Sequence, residues 1–197
     1  MNTRWRRIVK HTETERVYFT CLHHRKMTID DQEYISACLG MELLKILDAC
    51  CGSRMFWWDK QNPEVTFMDK RRYYEKLKTG HIVNVDPDIQ GDFTNMPFND
   101  ESFDLVVFDP PHLIHAGKSS WLAKKYGTLD KSTWPTVVHD GFDECNRVVK
   151  PNGVIVFKWN EEQIPFSKVL KVIGRNPLFG DKRGKTRWVV FKKASEE

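Results

Sequence analysis

The sequence lacks any long apolar run, any Cys-x-x-Cys pair, any internal repeat and any low-complexity segment. No stretch approaches the ~18–20 apolar residues of a membrane-spanning helix, so no membrane partner is expected. Met1 to Lys10 is basic, but no apolar segment follows it as in a secretory signal. A cytoplasmic location is therefore expected. The five cysteines (Cys21, Cys38, Cys50, Cys51 and Cys145) are odd in number and follow no framework spacing, which fits reduced thiols better than disulfides. Cys21, His23, His24 and Cys38 are of zinc-ligating types, but their spacing is that of no common finger, so no metal is expected. The Gly-x-Gly-x-x-Gly pattern of nicotinamide-dinucleotide folds is also missing.

What is present suits one α/β domain. The chain has 197 residues, 40% of them hydrophobic and 29% charged, enough for a buried core. Net charge is only +4, but its distribution is uneven. Phe166 to Lys193 holds nine Lys or Arg and one Asp, and Met1 to Lys26 holds seven Lys or Arg against two Glu. Basic ends around a neutral middle suit a polyanionic partner such as DNA or RNA, and equally suit two solvated faces. Nothing in the sequence sets an oligomeric state.

Short apolar runs alternate with helical patterns. Thr28, followed by Asp30, Asp31 and Glu33, predicts a helix start and a helix over about 29–40. Strands are expected at 43–48, 64–69, 89–92, 104–109, 154–158 and 187–192, with a small hairpin at 73–78 and 81–85. Val138, Phe142, Cys145 and Val149 form one helical stripe, and 163–173 a further helix. Such alternation predicts a mostly parallel sheet, which binds ligands at the carboxyl ends of its strands. Asp48, Asp69, Asp92 and Asp109 all fall at such ends. One acid there is often a cap or turn former; four in succession point to a ligand.

The spacing around these acids suggests their use. Asp48-Ala49-Cys50-Cys51-Gly52-Ser53-Arg54 follows the first strand, and its small residues let backbone approach a ligand. Asp69, 21 residues beyond Asp48 and followed by Lys70, can accept ribose hydroxyls. Asp92 can accept from an adenine amino group while Phe93 packs on the ring.

The segments ILDACCGSRMFWWDK, GDFTNMPF, FDLVVFDPPH and VIVFKWNEEQ resemble class I S-adenosyl-L-methionine (SAM)-dependent methyltransferases, and in particular small phage- and prophage-borne bacterial ones. The resemblance covers about residues 43–193. Chains of that group begin at about Met41, so residues 1–40 are expected to be an extension and 41–197 the methyltransferase domain. It implies a Rossmann-like fold with a mostly parallel seven-stranded sheet and helices on both faces. It also implies SAM as cofactor, with Asp48 to Gly52 along the methionine part, Asp69 on the ribose, and Asp92 with Phe93 on the adenine. The second glycine of the usual Gly-x-Gly is replaced by Arg54, which either points away or reaches the SAM carboxylate.

Asp109-Pro110-Pro111-His112 resembles the Asp/Asn-Pro-Pro-aromatic motif of methyltransferases acting on amino nitrogens. An exocyclic amine is a poor nucleophile because its lone pair is delocalised. A carboxylate and a backbone carbonyl accepting its N–H bonds would aim that lone pair at the methyl donor, and the prolines would fix the backbone. His112 stands where the resemblance implies an aromatic stacking platform. The loop Leu113–Trp134 interleaves Lys118, Lys124, Lys125 and Lys131 with Trp121, Tyr126 and Trp134. It reads either as a phosphate and base grip or as a helix at 119–126 packing its aromatics inward. Lys158-Trp159-Asn160 is expected at the rim of the substrate pocket. Three functions follow: N-methylation of a base in DNA or RNA, methylation of a protein side chain or small molecule, and a non-catalytic nucleic-acid-binding module.

Overall fold

The structure is a computed structural model that describes residues 5–8, 18–21, 44–55, 57–77, 80–117 and 120–195. The chain divides into two compact units, Met1–Leu43 and Leu44–Glu197. In the first, β1 (Trp5–Ile8) pairs antiparallel with β2 (Tyr18–Cys21). The helix expected over 29–40, and His23, His24 and Cys38 of the zinc-like cluster, lie outside the described residues.

The second unit is built on one seven-stranded sheet. Its strands are β3 (Ile46–Asp48), β4 (Val65–Asp69), β7 (Ile89–Gln90), β8 (Phe103–Phe108), β9 (Val149–Asn160), β10 (Phe179–Arg183) and β11 (Thr186–Lys192), in the spatial order β10-β11-β9-β8-β3-β4-β7. β7, β4, β3, β8 and β9 run parallel, while β11 is antiparallel to both β9 and β10. This is the Rossmann-like, mostly parallel seven-stranded α/β arrangement that was expected. Strand order reverses between β3 and β8, and such a reversal opens a crevice at the carboxyl ends.

β5 (Tyr73–Lys76) and β6 (Ile82–Val85) form the expected hairpin. The helices described are α1 (Trp121–Tyr126), α2 (Trp134–Val148) and α3 (Phe166–Ile173). α2 turns Val138, Phe142, Cys145 and Val148 inward, and α3 turns Phe166, Val169 and Ile173. Both join Leu47, Phe108 and Phe157 of the sheet in the larger core. A smaller core of Ile46, Cys51, Val65 and Phe67 is covered by Trp57. Here the structure is leaner than expected. Among the described residues no helix joins β3 to β4, and the β5–β6 hairpin occupies the connection from β4 to β7.

The sequence reading passed over β10, and its five residues are all exposed. With no buried face it has no alternation to detect, and its pairing with β11 places it. No helix among the described residues is long and apolar enough to cross a membrane.

Candidate active site

The carboxyl ends of β3, β4, β7 and β8 surround a cavity of about 450 Å³, within the usual range for ligand sites. Asp69, Asp92, Phe93, Asp109 and Pro111 all line it, together with Ala49, Cys50 and Lys70. A second cavity of about 140 Å³ shares Cys50, Arg71, Asp109 and Tyr126 with the first, and adds Cys51, Gly52, Ser53, Lys125 and Lys158. Asp109 therefore stands on the boundary between two compartments.

The loop after β3 is held from below. Asp48 is fully buried and accepts from Trp57 Nε1 at 2.7 Å and from the Cys50 backbone at 3.3 Å. Burial pushes its carboxyl up to about 7, against the opposing bonds from Trp57 and Cys50. It lines neither cavity, so it anchors the loop from beneath. Gly52 has φ +50° and its N–H donates to Asp69 Oδ2 at 2.9 Å. Arg54, standing where the second glycine was expected, keeps a left-handed backbone with φ 52°. That conformation is unfavourable for a side-chain-bearing residue and persists only when its surroundings hold it. They do: the guanidinium lies 3.9 Å from the centre of the Phe67 ring and donates to the carbonyls of Lys60 and Asp86 and to Asp88. Arg54 lines neither of these two cavities.

Asp69 is nearly saturated. Besides Gly52, it accepts from the Arg71 backbone at 2.9 Å and from the Arg71 guanidinium at 3.1 and 3.2 Å. Arg71 also donates to the Lys124 carbonyl of α1, as does the Tyr73 hydroxyl, and the Lys124 ammonium pairs with Glu75. These contacts tie α1 to the β5–β6 hairpin. α1 has no buried residue, and its Trp121 is half exposed, so its aromatics do not pack inward as one reading had it.

Asp92 accepts from Lys70 Nζ at 2.7 Å and from the backbone and hydroxyl of Thr94. Partial burial pushes its carboxyl up, but these bonds outweigh it and hold the group below the usual range. Phe93 meets Phe108 edge-on and packs against α2 at Gly141, where a Cβ would come within 2.5 Å of its ring. Sequence reasoning missed the residues that fix this loop. Glu144 of α2 accepts from the Met96 N–H, and Arg147 donates to the carbonyls of Met96 and Phe98.

At the motif, Asp109 and Pro111 face the first cavity, and Asp109 also faces the second. Pro110 is buried. His112 lines neither cavity. Its ring bonds to the Pro110 backbone and lies between Tyr126, at 5.7 Å, and Trp159, at 6.3 Å. Burial holds the imidazole below its usual range, which favours the neutral form. The aromatic ring that faces both cavities is Tyr126 of α1. Asp109 forms an ion pair with Lys158 from the end of β9. Burial pushes the Asp109 carboxyl up, with Lys158 and His112 opposing. The loop beyond the motif is clasped by Gln163, whose Oε1 accepts from the N–H groups of Ile114 and His115. Among the described residues no cluster of three metal-ligating side chains occurs.

No protein-family model matches the chain, and no curated protein matches it in sequence. Solved structures do resemble it. A protein of Pyrococcus horikoshii superposes with a TM-score of 0.50 at 14% identity, over 84% of this chain and 89% of that one. A S-adenosyl-L-methionine-dependent methyltransferase (so named with reserve) of Methanococcus maripaludis gives 0.43 at 15% identity, over 84% of each chain. The 1,6-didemethyltoxoflavin-N1-methyltransferase of Burkholderia thailandensis, solved with 1,6-didemethyltoxoflavin and S-adenosylhomocysteine, gives 0.45 at 14% identity, over 83% of this chain and 76% of that one. At these identities the likeness is one of fold.

Proposed function

We propose that this chain is a SAM-dependent methyltransferase that methylates an exocyclic amino group of a base in DNA or RNA. The observation that carries the reading is the joint cavity. Two strand-end carboxylates and Phe93 line its larger compartment, and the motif carboxylate Asp109 stands where the smaller one opens.

The residues present fit the cofactor in kind. Asp92 and Phe93 offer a carboxylate and a ring for adenine, and Ala49 and Cys50 offer small residues along the cavity wall. Asp69 fits the ribose once the Arg71 guanidinium gives up its two bonds, which leaves the backbone N–H bonds from Gly52 and Arg71 in place. Bound SAM supplies an electrophilic methyl group on a sulfonium, so no residue of the chain need serve as nucleophile. Asp109 accepts an N–H of the acceptor amine and aims its lone pair across the boundary between the compartments. Asp109 would then take the proton that the amine must lose on methylation and pass it to water. Tyr126 is the ring available to stack on a planar acceptor, with His112 behind it.

The small volume of the second compartment favours a second reading, in which a compact small molecule is the acceptor. One experiment decides: transfer of labelled methyl from SAM to separate pools of DNA, RNA, protein and metabolites, with calorimetry of SAM binding alongside. Label in a nucleic-acid pool supports the first reading, and label only in metabolites or protein replaces it. Salt-dependent nucleic-acid binding without SAM binding would instead make the chain a binding module.

A further inference from the structure

The Asp109–Lys158 pair is set by the sheet itself. β8 and β9 pair Phe108 with Phe157, so Asp109, just past the end of β8, stands beside Lys158, which is still within β9. The Lys158 ammonium bonds a carboxylate oxygen of Asp109. On its other side β11 places Trp188 in register with Lys158, and the ammonium lies 5.5 Å from the centre of the Trp188 ring. Both members of the pair are largely buried, at 23% and 19% side-chain exposure, and both line the smaller compartment. Asp109 is the one acid lining that compartment among the described residues. Two more cations line it: Arg71, whose guanidinium lies on Asp69, and Lys125, whose ammonium lies over the rings of Trp121 and Tyr126.

We infer that Lys158 is a positioning residue that fixes the Asp109 carboxylate in direction and matches its charge, so that the acceptor compartment takes a neutral amine and rejects a cationic one. This rests on the methyltransferase reading and narrows its substrate class. A carboxylate has about four lone-pair sites, so the one used by Lys158 leaves room for the N–H of a neutral amine. A protonated amine, such as a lysine side chain or a polyamine, would find Asp109 already matched by Lys158, Arg71 already matched by Asp69, and the Lys125 ammonium facing it. At short range in a partly buried site that repulsion outweighs a single hydrogen bond.

The groups around Asp109 set the sign of its response. Burial drives its carboxyl toward the protonated form. Lys158 and His112 oppose, Lys158 the more strongly, while Arg71, Lys125 and the Cys50 thiol border the same compartment. Removing Lys158 therefore leaves Asp109 protonated at a higher pH.

The test needs no turnover. The Asp109 side-chain carboxyl is followed by ¹³C NMR against pH in the full chain, for wild type, Lys158→Gln and Lys158→Arg. Lys158→Gln should raise the Asp109 midpoint by about 1–3 pH units, and Lys158→Arg should restore most of the wild-type value. Spermidine should leave the wild-type Asp109 resonance unmoved and shift it in Lys158→Gln, while adenosine, added with S-adenosylhomocysteine filling the cofactor compartment, should shift it in the wild type. An unchanged midpoint in Lys158→Gln overturns the positioning role, and a spermidine response in the wild type overturns the selectivity. Should Lys158→Gln fail to fold, Lys158→Met answers the same question. Absence of SAM binding in separate calorimetry would retire the methyltransferase reading and leave the two NMR outcomes standing.

Discussion

The two compartments of the site hold their acids in different ways. On the cofactor side the partners are near in sequence. Asp69 takes the Gly52 N–H from 17 residues away and Arg71 from two, and Asp92 takes Thr94 from two and Lys70 from 22. Each acid is settled by its own turn or by the neighbouring loop. On the acceptor side, Asp109 is matched by Lys158 from 49 residues away, and only the register of β8 on β9 joins them. The cofactor side is thus a product of loops, and the acceptor side a product of the sheet. The first should tolerate changes in the core and fail with its loops; the second should do the reverse.

The sharpest break between the halves is Asp109→Ala. It removes the one carboxylate that lines the acceptor compartment among the described residues, and none of the partners of Asp69 or Asp92. Methyl transfer should fall by more than ~100-fold, while SAM affinity by calorimetry changes little. Equal loss of both would mean that Asp109 serves the cofactor, and the division into halves would fail. The complementary change is Asp69→Ala. It should weaken SAM binding by about 1.5–3 kcal/mol, the range of hydrogen bonds to a charged group. Because the Arg71 guanidinium already saturates Asp69, Arg71→Ala, in which no guanidinium has to be displaced, should bind SAM more tightly than wild type. An unchanged dissociation constant in Asp69→Ala would remove the ribose assignment.

This contrast also explains what could be read from the sequence. The order of strands and the four acids at their ends were legible, because parallel strands buried on both sides leave short apolar runs ending abruptly in a polar residue. The stripe Val138, Phe142 and Cys145 marked α2 for the same reason. The Asp109–Lys158 pair was not legible beyond a place at the rim, because nothing in a single sequence fixes strand register. The clasp of Glu144 and Arg147 on the loop from 96 to 98 was hidden likewise, since on a helix such charges read as a solvated face. For His112 the motif implied a stacking ring; the structure places it off both cavities, and Tyr126, carried there by the tethers of α1, faces them.

Asp48 tests whether the loop anchor is separate from the chemistry above it. Its carboxyl, pushed up to about 7 by burial, holds its proton in the folded chain well above the unfolded value of 3.8. The sign follows from linkage. The unfolded chain releases this proton near pH 4, whereas the folded chain keeps it until about pH 7. Stability is therefore drained as pH rises between those values, by up to ~1.4 kcal/mol per pH unit, and levels off above. Asp48→Asn cannot ionise and escapes this loss. Its stability relative to wild type should rise between pH 5 and 7 in denaturant titrations and stay level from pH 8. A difference that stays flat across the whole range would mean that Asp48 is ionised in the folded chain.

Arg54 gives the smallest expected effect and places the edge of the cofactor compartment. Its guanidinium holds Phe67 and the segment from Asp86 to Asp88, away from both cavities. Arg54→Ala removes that cation–π contact and those hydrogen bonds but leaves the left-handed backbone unrelieved, since alanine disfavours it as well. Arg54→Gly removes the same contacts and relieves the backbone, so it should be the more stable variant, by up to ~1 kcal/mol. Both should unfold at lower denaturant than wild type, and both should bind SAM as wild type does. A tenfold loss of SAM affinity in either variant, with stability little changed, would bring Arg54 to the SAM carboxylate. The cofactor half would then have to be redrawn to include it.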